Sequence, residues 1–121
     1  MPITYTGRTM STTVPIHALT RFAREGLVAG GADAEQAASV AEVLVWADTI
    51  GRPNQGVWRL PILSRRLQRG LFECPCQPII ETKAPGLTTI DGNNGMGHHV
   101  GRLAMDTAIE RVRTSGIAAV L

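Results

Sequence analysis

The sequence predicts an α+β fold: an N-terminal helical layer, a β-hairpin, a fourth helix and one strand of an incomplete sheet. Three observations support this. Apolar residues recur at helical spacing through much of residues 14–70, two segments within residues 78–91 have strand composition, and residues 117–121 form an uninterrupted apolar run. A chain of 121 residues is long enough for one domain with an ordinary core, which must be aliphatic because aromatic residues make up only 4%.

The composition fits a globular protein without a strongly charged partner. Apolar residues make up 44%, and the formal net charge of +2 is too small to indicate nucleic-acid binding by itself. No stretch is apolar for long enough to span a bilayer, and the N-terminus lacks the apolar segment of a secretory signal. We therefore expect a cytoplasmic protein with neither a membrane nor a nucleic-acid partner.

The first two helices follow a polar, Thr-rich segment that we interpret as a flexible arm over residues 1–13. Pro15 suits a first helical residue, and the apolar spacing continues to about Val28. Asp33 with Gln36 has the form of an N-cap and its capping-box partner at the start of the second helix.

A third helix is predicted from about Trp58 to Leu67, with Gly70 directly after its end. Three arginines crowd its last turns and the residue beyond: Arg65, Arg66 and Arg69. Two interpretations stay open for them. They form either a solvated basic face or an anion-binding patch for a substrate carboxylate or a cofactor phosphate.

The segment after the third helix, residues 71–78, is irregular and is expected to be a surface connection. Its Cys74-Pro75-Cys76 pair is too closely spaced for a usual structural zinc site, and the chain has no second pair. A disulfide within the pair would be strained. We expect two reduced thiols.

Two strands, residues 78–83 and 87–91, are predicted to form the hairpin, with Gly86 in the turn at positive φ. A fourth helix follows over residues 98–114 and ends at Gly116. The apolar run over residues 117–121 is typical of a buried central strand that is covered on both faces. The chain ends inside this strand.

A glycine-rich loop precedes the fourth helix and contains Gly95-Met96-Gly97. One Gly-x-Gly is a weak dinucleotide signal, because the Rossmann form needs a buried parallel strand before it, a third glycine at fixed spacing and a distal acid. We therefore predict no Rossmann site here.

The loop over residues 47–61 is the most distinctive stretch, because two glycines and two prolines interrupt the helical pattern around polar side chains. Asp48 at its start lies on the apolar stripe of the second helix. An unpaired carboxylate there would be costly. We expect Asp48 to be paired with loop N–H groups or with an arginine, in a structural role.

This loop carries a resemblance. Its pattern Ala-Asp-x-x-Gly, followed after a short gap by Gly-Val-x-Arg-Leu-Pro, resembles the non-Rossmann malate/L-lactate dehydrogenase family. Relatives there include ureidoglycolate dehydrogenases, sulfolactate dehydrogenases and Δ1-piperideine-2-carboxylate reductases. The resemblance covers residues 14–121, an N-terminal portion of the family domain. It implies an oxidoreductase that uses NAD or NADP on 2-hydroxy or 2-imino acids, with Arg59 holding the substrate carboxylate.

The resemblance also exposes a departure from the family pattern. The family motif reads Ser-His-Gly-x-x-Arg, with the histidine as acid/base group, whereas this chain has Asn54 and Gln55 at those positions. A glutamine amide does not titrate. His98 or His99 could compensate, but adjacent residues at a helix start point in different directions, so at most one of them faces a given pocket.

Two hypotheses follow for the chain as a whole. One is a truncated or divergent dehydrogenase, inactive by itself and without measurable NAD(P)H binding, because no phosphate-cradling loop or ribose-binding acid is recognisable. In the family, the glycine-rich stretch over residues 91–97 shapes the floor of the active-site region. The alternative is a non-catalytic interaction module that joins a partner chain, or a second copy of itself, through its unfinished apolar strand.

Overall fold

The computed structural model describes residues 13–121. The predicted arm therefore lies, up to residue 12, outside the described residues. Four α-helices, three strands and two 3₁₀ turns follow in order: α1 Ile16–Ala29, α2 Ala34–Thr49, turns Pro53–Gln55 and Val57–Arg59, α3 Leu60–Gln68, β1 Ile79–Ala84, β2 Leu87–Asp91, α4 Gly97–Ser115 and β3 Ala119–Val120. This arrangement confirms the predicted α+β class, the helical layer and the hairpin.

The core lies within the helical layer. Its buried members come from α1, α2 and α3, the α1–α2 connection, and one residue at the start of α4: Ala23, Leu27, Ala32, Ala37, Val40, Ala41, Leu44, Leu60, Leu63 and Met96. Small residues bring the helices close together, and a Cβ on Gly26 would lie 2.9 Å from a Leu60 methyl carbon. Most of the apolar burial that stabilises the chain is therefore concentrated before residue 64.

The helix ends correct two predictions. Pro15 is the N-cap of α1, with an extended ψ of 137°, rather than its first helical residue. Asp33 caps α2 by accepting a hydrogen bond from the Glu35 N–H, but Gln36 does not complete a capping box. The Gln36 side chain is buried and instead binds the backbone of Cys76. The predicted surface connection over residues 71–78 is therefore fixed to α2, and Cys76 is buried.

The sheet has the order β1-β2-β3, with β1 antiparallel and β3 parallel to β2. Gly86 in the hairpin turn is not among the glycines with positive φ, so that prediction was wrong. The glycine is needed for a different reason. A Cβ there would lie 2.4 Å from the Ile117 carbonyl oxygen, and the Gly86 carbonyl accepts a 2.7 Å hydrogen bond from the Ala119 N–H. The close approach of β3 requires a residue without a side chain.

The final strand lies at an edge of the sheet within the described residues, not at its centre. Ile117 and Leu121 are 77% and 76% exposed, so the strand is not covered on both faces within residues 13–121, in agreement with a sheet that is left incomplete. Within the described residues, no second layer covers the apolar side chains at the two ends of this strand. No helix of the described residues is long and apolar enough to cross a membrane.

Candidate functional site

The loop after α2 is held by Asp48. Its Oδ2 accepts a 2.9 Å hydrogen bond from the Val57 N–H. Gly56 lies directly beneath the carboxylate, since a Cβ on Gly56 would be 2.1 Å from Asp48 Oδ1. This confirms the expected pairing of Asp48 with a loop N–H. The carboxylate thereby ties the end of α2 to the second 3₁₀ turn of the loop.

The prolines and glycines shape the rest of this loop. Gly51 has a φ of 75° and ends α2, and Arg52, which precedes a proline, is non-helical with φ −115° and ψ 61°. The Arg52 N–H donates to the Ala47 carbonyl at 2.9 Å, which folds the chain back against the end of α2. The loop therefore presents its polar side chains from a fixed backbone.

Arg59 is the central cation of the candidate site. Its Nη1 lies 3.4 Å from Gln55 Oε1 and 3.5 Å from the Asn54 carbonyl oxygen. Both contacts are long for charge-assisted hydrogen bonds, which are usually below about 3 Å. Among residues 13–121, no carboxylate forms an ion pair with Arg59. The guanidinium therefore keeps the capacity to bind an anion.

A shallow pocket of about 380 Å³ lies at this guanidinium, and its lining is part polar and part apolar: Asn54, Trp58, Arg59, Pro61, Ile62 and Arg65. Trp58 is 81% exposed, so its ring is accessible from solvent. Arg65 brings a second guanidinium to the same pocket, whereas Arg66 and Arg69 are exposed outside it. Of the three clustered arginines, only Arg65 has a position that supports the anion-binding interpretation.

The three residues predicted from the motif are thus brought together: Asn54, Gln55 and Arg59. Asn54 and Gln55 are exposed, and the amide oxygen of Gln55 accepts from the arginine. Neither side chain can carry a proton. The loop supplies anion binding and hydrogen bonds, but no titrating group besides Asp48, which is already engaged.

The two histidines on the first turn of α4 face different surroundings, as predicted for adjacent residues. His99 lines a groove between α2 and α4 together with Glu42 and Arg102, which form an ion pair. His98 is half-buried, and burial lowers its pKa, with a further lowering by the positive charge of Arg59. His98 is therefore the histidine whose charge is coupled to the candidate site, a distinction that the sequence left open.

An anchor that sequence reasoning missed holds the α4 end of the site. Gln36 Nε2 donates to the Cys76 carbonyl at 2.9 Å, and the Cys76 N–H donates to Gln36 Oε1 at 3.1 Å. A Cβ on Gly95 would lie 2.3 Å from Cys76 Sγ, and Met96 is fully buried in the core. These contacts fix the loop that leads into His98. The sequence signal for this anchor was the Asp33–Gln36 capping-box pattern. We interpreted Gln36 as the partner of the N-cap residue, whereas its side chain binds the Cys76 backbone.

Cys74 and Cys76 lie in the segment between α3 and β1. Both are free thiols, as predicted, and Cys74 Sγ accepts a 3.1 Å hydrogen bond from the Asp33 N–H. Over residues 13–121 no group of three or more His, Cys, Asp or Glu side chains is arranged to hold a metal ion.

A comparison with known families covers nearly the whole chain. A profile of the malate/L-lactate dehydrogenase family matches residues 14–121. The chain belongs to this family.

Two characterised relatives and one solved structure illustrate the match. The L-sulfolactate dehydrogenase of Methanothermobacter thermautotrophicus is 31% identical over 100 residues, which is 83% of this chain and 29% of that protein. The malate dehydrogenase of Pyrococcus abyssi is 35% identical over 108 residues, which is 88% of this chain and 30% of that protein. The structure of malate dehydrogenase from Pyrococcus horikoshii OT3 superimposes with a TM-score of 0.83 at 31% identity, over 90% of this chain and 31% of that one.

The chain therefore spans about 30% of the length of these family members. The described residues place at the candidate site an arginine that has no carboxylate partner among residues 13–121. At the start of α4, a Cβ on Gly97 would meet no atom within 4 Å. Close packing therefore does not explain why a glycine occupies this position. We assign no residue of this malate/L-lactate dehydrogenase family chain to a cofactor.

Proposed function

We propose that this chain provides the substrate-carboxylate site of an oxidoreductase that uses NAD or NADP on small 2-hydroxy or 2-imino acids, in the interconversion of 2-hydroxy and 2-oxo acids or the reduction of 2-imino acids to 2-amino acids. The observation that carries the proposal is the Arg59 guanidinium, which lines an open pocket and has no carboxylate partner within residues 13–121. Membership of a dehydrogenase family supplies the reaction class. The free thiols fit the proposed cytoplasmic location.

The proposed role of each side chain follows from its chemistry. A guanidinium matches a carboxylate with two parallel hydrogen bonds, so Arg59 fixes one end of the substrate. Gln55, beside it, can bind the oxygen on C2 through its amide, which orients the acid without exchanging a proton. Asp48 and Gly56 keep the loop in place. The nicotinamide ring would supply hydride exchange at C2, and no residue described here is assigned to hold it.

The test is anion binding to the 121-residue protein. Replacing Arg59 by methionine should weaken binding of oxamate, a non-reducible 2-oxo acid analogue, by about 10- to 100-fold. This matches the 1.5–3 kcal/mol typical of hydrogen bonds to charged groups. Calorimetry measures the change. Arg66→Met is the matched control, because Arg66 is exposed on α3 outside the pocket. Equal losses in both variants would contradict a specific carboxylate site at Arg59.

A second candidate function is that of an interaction module. It is favoured by exposed apolar side chains on the layer that α4 forms with the sheet. Ile117 and Leu121 on and beside β3 are largely exposed, as are Met105 and Ile109 on α4. Exposed strand edges with apolar side chains recruit other chains. Under this hypothesis, the edge of β3 is covered by a second copy of the chain in a homo-oligomer or by a different partner chain.

For this candidate we expect a dimer or larger species by light scattering. Ile117→Lys should shift the protein toward monomer, because a charge would have to be buried in the contact. Thr114→Lys, at an exposed polar position near the end of α4, is the control for added charge. A monomer at all concentrations, with the same mass for the parent and both variants, would exclude association through this edge.

A further inference from the structure

We propose that the acid bound at Arg59 carries a second carboxylate, which Arg65 binds at the far end of the same pocket. The inference rests on the proposed function and names its substrate class: an elongated dicarboxylic acid whose two ends are separated by an apolar spacer. Three observations carry it. Two guanidiniums line one pocket, no acidic residue of the lining neutralises them, and apolar residues separate them along the chain.

The pocket is positively charged by its own lining. Arg59 and Arg65 are its charged members, and the other lining residues are uncharged: Asn54, Trp58, Pro61 and Ile62. Among residues 13–121, no carboxylate forms an ion pair with either arginine. Two like charges that face one volume repel each other. A ligand with a single carboxylate leaves one guanidinium unmatched, whereas a ligand with two carboxylates matches both.

The position of Arg65 on α3 indicates the length of the ligand. Arg59 immediately precedes α3 and has helical dihedral angles, and Arg65 lies within the helix. Six residues of α-helix rise about 9 Å along the axis. Ile62 lies midway between the two arginines and lines the same pocket, as expected for helical residues spaced three apart. The second guanidinium therefore comes from nearly two turns further along the helix, beyond an apolar wall.

This arrangement favours a dicarboxylic acid with several methylene groups between its ends. A guanidinium binds a carboxylate with two parallel hydrogen bonds, so each end of the acid has a matching group. The methylene groups would lie against Ile62 and the ring of Trp58, which is 81% exposed in the free protein. Covering this apolar surface contributes to binding in proportion to the area removed from water. A four-carbon diacid spans less of the wall and covers less of it.

The experiment compares two pairs of acids by calorimetry on the 121-residue protein. 2-Hydroxyadipate and 2-hydroxyhexanoate have the same six-carbon chain and differ only in the distal carboxylate, and malate and 2-hydroxybutyrate are the matched four-carbon pair. We expect 2-hydroxyadipate to bind at least about fivefold tighter than 2-hydroxyhexanoate, as for hydrogen bonds to a charged group that solvent partly screens. The preference for malate over 2-hydroxybutyrate should be smaller.

Arg65→Met tests which group binds the distal carboxylate. It should remove the preference for 2-hydroxyadipate and leave the affinity for 2-hydroxyhexanoate within about twofold, because an exposed charge without a direct partner contributes little. Arg66→Met is the matched control, since it removes the neighbouring positive charge of α3 outside the pocket and should keep the preference. Arg59→Met should weaken the binding of all four acids. Circular dichroism checks that each variant is folded.

The failure of this inference differs from the failure of the proposed function. Arg59-dependent binding of both six-carbon acids with equal affinity would overturn the role of Arg65 and leave the carboxylate site intact. A preference that survives Arg65→Met, or that is at least as large in the four-carbon pair, would also overturn it. Arg65-dependent binding of NADPH would assign this guanidinium to a cofactor phosphate instead. Absence of Arg59-dependent binding of every acid would overturn the proposed function and this inference with it.

Discussion

Gly56→Ala is expected to lower the free energy of unfolding by about 3–5 kcal/mol, a large part of the 5–15 kcal/mol of a typical domain. The added Cβ would lie 2.1 Å from Asp48 Oδ1 and 2.3 Å from its Cγ, so either the carboxylate or the loop must move. Overpacking costs about 1–3 kcal/mol. Loss of the hydrogen bond from the Val57 N–H to a charged group adds about 1.5–3 kcal/mol. Urea denaturation followed by circular dichroism measures the change.

Gly101→Ala is the matched control for this substitution. Gly101 is an exposed residue inside α4, and a Cβ there would meet nothing within 4 Å. Alanine should therefore stabilise the helix by up to about 1 kcal/mol. Combining Gly56→Ala with Asp48→Ala should cost less than the sum of the single changes, because the second change removes the clash. Additive losses, or a Gly56 variant as stable as the Gly101 variant, would show that the carboxylate is not held against Gly56.

The second large effect concerns the loop position that holds a histidine in the family motif and Gln55 in this chain. In an assembly of this chain with the C-terminal portion of a related dehydrogenase, Asn54→Ser with Gln55→His should raise turnover of a 2-oxo acid by about 10²-fold or more, as expected for restoring a general acid. The loop then regains a titrating group. The rate of the variant assembly should acquire a pH dependence near the ordinary imidazole pKa of about 6.5.

The parent assembly and the His99→Gln assembly are the comparisons for this experiment. His99→Gln should leave the rate close to that of the parent, since that ring lines the groove between α2 and α4. Equal rates of the parent and of the Asn54→Ser, Gln55→His variant at every pH would contradict the loss of an acid–base group from the loop. The pH–rate profiles of the three assemblies decide between these outcomes.

Much of the fold could be predicted from local patterns. Gly51, Gly70 and Gly116 all have φ between 66° and 76°, where helices end and the chain must turn. Gly86 was predicted by the same logic and does not follow it, because its role depends on the Ile117 carbonyl, which reaches it only after α4 has crossed back to the sheet. Sequence alone does not separate a glycine required by backbone conformation from one required by a distant neighbour.

The candidate site likewise combines residues that a local motif predicts with residues whose positions depend on distant contacts. Asn54, Gln55 and Arg59 lie in one loop and were found through its motif. Which of His98 and His99 is affected by the charge of Arg59 depends on how α4 packs on the helical layer, and local sequence does not show this packing. Gln36 was misassigned because its true partner, Cys76, lies 40 residues further along the chain. Contacts at that separation leave no local pattern in the sequence.

The burial of Met96 also has a consequence for the dynamics of the site. It is the only member of the hydrophobic core cluster that comes from the second half of the described chain, and α4 has no buried residue of its own. The helical layer and the layer of α4 with the sheet therefore form cooperative units of unequal stability, and amides of α4 should exchange with solvent through partial openings that leave α1 and α2 intact. Arg59 belongs to the first unit and His98 follows Met96 into the second. Each partial opening separates His98 from the Arg59 charge that lowers its pKa, so weakening the anchorage of this methionine would change the candidate site before it unfolds the protein.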